Sequence, residues 1–153
     1  MPTSTEILAG LTAIARDAVV AAIVWHVVVA AALVALASGW RPSRRLAGAL
    51  IALPLASVAA LALAYGNPFN GAIFLVGAAA LVTLAWRGPG GDVARGAGWT
   101  WWGGAAMVTF GWLYPHFLSG GPVVYLYAAP LGLVPCPTLS LAIGLALLGG
   151  GLG

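Results

Sequence analysis

The amino-acid sequence predicts an all-α fold, an integral membrane helical bundle of about five transmembrane helices forming a single transmembrane domain over residues 1–153. Three observations predict it. The chain is 62% hydrophobic and 6% charged, with a mean hydropathy of +1.04, whereas a water-solvated domain carries about 25% charged residues. Its apolar residues fall in runs approaching the roughly 20 residues that cross a hydrocarbon core about 30 Å thick. The six basic residues, all arginine, stand at the ends of those runs, where positive charge sets topology. Scattered in this way they form no basic patch, so a pI near 9.6 does not point to nucleic acid. The expected partners are the lipid bilayer and other membrane-protein subunits.

The elements follow in order. Residues 5–16 read as a short interfacial helix, with Ile7, Leu8, Leu11 and Ile14 at helical spacing. The opening Met1-Pro2-Thr3-Ser4-Thr5-Glu6 lacks the basic start of a cleavable signal peptide, so the first apolar run is expected to be retained. Spans are predicted at about 18–38, 46–65, 69–86, 99–118 and 138–152. The first stops at Ser38-Gly39-Trp40-Arg41-Pro42, the second at Gly66-Asn67-Pro68 and the third at Arg87-Gly88-Pro89, each a breaker or interface signal. The fourth opens on Trp99, Trp101 and Trp102, which suits a headgroup belt. An uncharged outer loop is expected over 119–137. The final run is short for a crossing, and the natural chain is expected to continue past Gly153.

Orientation follows from charge. Arg41, Arg44, Arg45, Arg87 and Arg95 fall on one side of this arrangement, and Arg16, offset by Glu6 and Asp17, on the other. The positive-inside rule places the five arginines in the cytoplasm, the N-terminus outside and the C-terminus inside. The expected location is a bacterial inner membrane, crossed several times. Within lipid, small residues mark contact faces because close packing drives association. Gly48, Ala52, Ala56, Ala60 and Ala64 recur at steps of four in the second span, and Ala18, Ala22, His26 and Ala30 in the first, so these two helices are expected to pack together. Pro54 should kink the second.

Few residues carry chemistry. His26 is the clearly ionisable group deep in a span, where polar side chains usually face the bundle interior. It could relay protons, bind a metal or ligate a tetrapyrrole, and the plain alternative is a neutral imidazole bonded to a neighbouring helix. The Ala22-xxx-His26 spacing resembles the small-residue-then-histidine arrangement of bacterial light-harvesting helices. His116 is expected near the outer boundary and His26 roughly 12 Å below it by helix rise, so a haem clamped between them would need unusual geometry. Cys136 stands between Pro135 and Pro137, a turn that could hold a soft metal or simply bury an inert thiol. Cys-Pro in a membrane helix is similar to the metal-pumping ATPases, whose large cytoplasmic domains have no counterpart here. Trp112, Tyr114, Phe117, Tyr125 and Tyr127 read as an interfacial belt or a ligand pocket. With no carboxylate in the apolar spans and no phosphate-binding or catalytic motif, an enzyme is not expected.

The C-terminal third resembles an uncharacterised bacterial family of multi-span membrane proteins. The resemblance rests on Tyr114-Pro115, a glycine-rich outer loop and Pro135-Cys136-Pro137-Thr138, with Trp25 in the first span and Asn67-Pro68 before the third. The family usually continues past this helix and often has a histidine where Gly66 follows Tyr65. The resemblance implies a topology and no activity. The function expected is that of a non-enzymatic accessory or structural subunit of a larger membrane complex, energy-transducing and pigment- or haem-associated complexes among the candidates. The alternative is a small-solute or metal-ion permease, motivated by His26, Pro54 and the Pro-Cys-Pro turn.

Overall fold

The computed structural model of the chain describes residues 3–118 and 121–150. These residues form α1 (Ser4–Asp17), α2 (Val19–Ala37), α3 (Arg44–Ala64), α4 (Pro68–Arg87), α5 (Trp99–Trp112), α6 (Tyr125–Ala128) and α7 (Pro135–Leu148), with a 3-10 turn, Pro122–Val124, leading into α6. Three of them, α2, α3 and α4, are long and apolar enough to cross a membrane.

Local chemistry sets the helix starts. Thr3 and Glu6 form a capping box on α1, the Ser43 hydroxyl accepts from the Leu46 amide, and the Asn67 side chain accepts from the Asn70 amide. Each satisfies a backbone donor that the first turn leaves open. Pro68 and Pro135 open α4 and α7, where a missing N–H costs nothing and φ is already helical. Pro54 lies inside α3 without ending it.

Glycines determine which helices touch. Gly48 of α3 lies against the Ala85 methyl of α4, and Gly71 of α4 lies where a methyl would come within 2.6 Å of Leu63. On the other side α5 and α7 cross glycine to glycine. A methyl on Gly104 would sit 2.9 Å from the Gly144 carbonyl, and one on Gly144 would sit 2.8 Å from the Gly104 carbonyl. Ile51, Leu55 and Val58 of α3 join Phe74 and Ala78 of α4 and Ala142 of α7 in one cluster. The packing order is therefore α4–α3–α7–α5. The outward faces stay apolar and exposed, Val20, Val24, Val27 and Val34 on α2 and Phe69, Leu75, Val76 and Leu84 on α4 among them.

Three expectations are corrected. The anticipated pairing of α2 with α3 along their small-residue ridges is not formed. Gly48 and Ala52 are buried against α4 and α7, Ala56 is half-buried on the same core, and Ala60 and Ala64 are exposed. Steps of four advance about 400° at 3.6 residues per turn, so such a ridge drifts by about 40° a step and cannot face one partner throughout. A cleft lined by Ala32, Leu36 and Trp40 on one side and Ala47 and Leu50 on the other separates the halves of α2 and α3 nearer the arginines. Of the α2 residues, Ala22 is fully buried while Ala18 and Ala30 are half-buried.

The second correction concerns length. The helix expected over 99–118 ends at Trp112, and the one expected over 138–152 runs over Pro135–Leu148, residues 151–153 lying outside the described ones. Each has 14 residues, about 21 Å of rise against a core of about 30 Å. The third concerns the outer loop expected over 119–137. Apart from residues 119 and 120, which lie outside the described ones, it folds as the 3-10 turn, α6 and an irregular stretch, Ala129 to Val134, that is buried throughout. Ala129-Pro130-Leu131-Gly132-Leu133-Val134 is too apolar to be left in water. Its side chains complete two clusters, with Ile14 and Ala22 on one side and with Val29, Val108 and Leu141 on the other.

At the opposite end the connections are tied together. The Arg44 amide donates to the Gly91 carbonyl, the Val93 amide to Pro42 and the Gly96 amide to Leu148, with Ser43 and Asp92 paired as an isolated antiparallel bridge. Arg41, Arg44, Arg45, Arg87 and Arg95 lie in or beside these connections, and Trp40, Trp86, Trp99 and Trp102 are exposed at the same end.

Candidate functional site

The candidate site is built where α2, the end of α5 and the buried stretch meet. The buried polar side chains in the core are His26, Thr138 and Ser140, and of these the imidazole alone has two ring nitrogens to place against partners. His26 is 3% exposed. Its Nδ1 lies 2.8 Å from the Ala22 carbonyl one turn back, and its Nε2 lies 3.3 Å from the Trp112 carbonyl. The Trp112 carbonyl is free for this contact because α5 stops there, leaving its last carbonyls without helical partners. The Trp112 ring stands edge-on to the imidazole, with centroids 4.8 Å apart at 82°.

The two contacts define what the ring can do. A neutral imidazole has one N–H, so it can donate to one of these carbonyls and turns a lone pair toward the other. For the same ring to ligate a metal or a tetrapyrrole, the Trp112 carbonyl would have to give way.

The residues around His26 hold the buried stretch in place. Trp112 Nε1 donates to the Leu126 carbonyl at 2.9 Å, which ties the end of α5 to α6. Trp25, beside His26 on α2, donates from Nε1 to the Ser57 hydroxyl of α3 at 3.2 Å. Its indole packs on Gly132, whose φ of 73° lies in the left-handed region. The Gly132 amide donates to Thr138 Oγ1 at 2.9 Å, and that hydroxyl donates to the Val134 carbonyl at 2.8 Å. One threonine therefore serves two backbone groups of an irregular segment, in an interior where an unpaired group costs about 1–3 kcal/mol.

The other candidates lie apart from His26. His116 is exposed beside Tyr114 and Phe117, with ring centroids 5.0 Å and 6.0 Å away. Cys136 is exposed and forms part of an open groove with Met107, Phe110, Leu139 and Ile143. Tyr114 packs against His116, while His26 is engaged elsewhere. Among the described residues no group of three or more His, Cys, Asp or Glu gathers to hold a metal ion. Asp17 accepts from the Tyr65 hydroxyl at 3.1 Å and lies 3.9 Å from Arg16, joining the end of α1 to the end of α3.

Sequence reasoning named His26 and missed its clamp. The Trp112 carbonyl is a backbone group, exposed by a helix ending six residues earlier than expected. Trp25, Ser57 and Thr138 had been assigned no role. A signal for the buried stretch was present in its composition, since a run of Ala, Pro, Leu, Gly and Val without a charge is unsuited to a solvated loop. No family model, curated protein or solved structure compared with the chain matches it.

Proposed function

We propose that the chain is a non-enzymatic subunit of a larger complex in a bacterial inner membrane, crossing it five times with the arginine end in the cytoplasm. The N-terminus then lies outside and the C-terminus inside, and α5 and α7 make two short crossings completed by the chain between them. The observation that carries this reading is the filled interior at His26. Both ring nitrogens face backbone carbonyls and Trp112 covers the ring edge, so the ring joins α2 to α5 as a fastening between elements. The family resemblance in Tyr114-Pro115 and Pro135-Cys136-Pro137-Thr138 belongs to the same proposal.

Gentle detergent extraction followed by size-exclusion chromatography, absorbance and mass spectrometry of the peak tests it. Stoichiometric co-migration with a defined larger assembly is the expected result, and a lone monomer or homo-oligomer overturns it. A His26→Gln variant is expected to assemble normally, because glutamine keeps a donor on the same face. Loss of a cofactor band with assembly intact would instead assign His26 to that cofactor.

A small-solute or metal-ion permease is the second reading. It is favoured by the irregular backbone of Ala129 to Val134 beside a titratable ring, since non-helical backbone at membrane depth is tolerated only in protein or along a hydrated path. Under that reading, cysteines placed along this stretch should react with a water-borne thiol reagent from both sides of the membrane. Protection of all of them supports the subunit.

A further inference from the structure

A recess at the arginine end adjoins the cleft between α2 and α3, sharing Leu36, Val93 and Gly149 with it. It holds about 330 Å³, within the range of small-ligand sites. One wall is apolar, made by Leu33, Leu36 and Ala37 of α2 and by Leu148 at the end of α7, and the rim carries Arg41 and Arg95. Both guanidiniums are held in position with donors to spare. Arg41 uses one nitrogen, Nη1, on the Leu36 and Trp40 carbonyls at 3.0 and 2.9 Å, and Arg95 lies 4.3 Å above the Trp101 ring, a cation–π contact that leaves the edge of its fork outward. Among the described residues the one ion pair, Arg16 with Asp17, is at the other end of the bundle. Two arginines fixed over an apolar wall match an amphiphile with a phosphate head.

We propose that this recess binds an anionic phospholipid, its phosphate between Arg41 and Arg95 and an acyl chain along Leu33, Leu36 and Leu148. A free phosphate would use the same guanidiniums, but it would leave the apolar wall unoccupied. The site does not depend on whether the chain is a subunit or a permease, and it is read on the isolated protein.

Native mass spectrometry of the full chain in mild detergent, titrated with dioleoylphosphatidylglycerol or dioleoylphosphatidylcholine, tests it. The anionic lipid should bind more tightly, and Arg41→Gln and Arg95→Gln should each weaken it by about fivefold, the contribution of one basic residue near an anionic headgroup. Arg87→Gln removes a charge at the same end but outside the recess and should change little. Ala37→Phe keeps every charge while filling the wall, and it should abolish the preference even if an arginine variant fails to fold. Millimolar inorganic phosphate should not displace the lipid. Displacement would assign an ion site instead, and equal weakening by Arg87→Gln, or equal binding of the two lipids, would reduce the recess to a diffuse charged surface.

Discussion

Two residues carry consequences out of proportion to their size. Gly132 combines a φ of 73° with the Trp25 indole, whose Cγ would lie 2.6 Å from an added methyl. Gly132→Ala therefore meets backbone strain and a clash together, and it is expected to destabilise by about 1–3 kcal/mol through overpacking alone, read as a lower melting temperature in detergent. Gly10→Ala is the control, since nothing lies within 4 Å of the added methyl and a helical alanine is favoured. At His26 the discriminating substitution is His26→Leu. It removes the ring's one N–H from between the Ala22 and Trp112 carbonyls, a loss of about 1–3 kcal/mol, whereas His26→Gln should fall well short of that. Thermal unfolding of the pair separates a lost hydrogen bond from a lost ring.

Among the elements, the α5–α7 contact is the least forgiving. A methyl on Gly144 would meet the Gly104 carbonyl and the Val108 amide nitrogen, each at 2.8 Å, and backbone cannot step aside as a flexible side chain can. Gly144→Ala should push the helices apart and lower the melting temperature, while the α3–α4 pair, joined elsewhere through Gly48 and Gly71, should keep its own protection in hydrogen exchange. The start of α1 has a different sensitivity. The Thr3 amide and hydroxyl both donate to the Glu6 carboxylate, at 2.6 and 2.9 Å, and hold its pKa below the ordinary carboxylate value. The folded pKa is the lower one, so the stabilisation is present above the unfolded value and disappears as pH falls through the folded value. The first turn of α1 should fray on acidification in NMR chemical shifts, and Glu6→Gln should remove most of that pH dependence. The long helices were legible in sequence because each is a continuous apolar run closed by Gly, Pro or Arg. The end of α5 was marked by Pro115, which disfavours helix at the residue before it, a signal outweighed by the apolar residues around it, whereas the end of α7 has no such mark.

At the scale of the whole molecule, the distribution of arginines was legible from counting charges, while the partners of each helix were not. Small residues announce that a contact exists without naming its other side, which is why the α3 ridge was assigned to α2 and belongs to α4 and α7. The same limit applies to His26, whose depth could be read from its run but whose partner comes from a residue 86 positions away. Orientation is open to direct test in a Cys136→Ser background with single cysteines at Gly121 or Gly90, two positions with nothing within 4 Å of an added Cβ. A membrane-impermeant maleimide added to intact spheroplasts should label the first at once and the second only after permeabilisation. The reverse order would invert the proposed topology.

The unequal helix lengths have a consequence for the surrounding lipid. The side built from α5 and α7 offers 14-residue helices where α2, α3 and α4 have 19, 21 and 20, so the hydrophobic height around the perimeter differs by roughly 8–10 Å at 1.5 Å per residue. A bilayer of uniform thickness cannot match both sides, and mismatch costs a fraction of a kcal/mol per ångström. The membrane should dip beside α5 and α7, giving the protein a directional elastic field and drawing shorter-chained lipids to that flank.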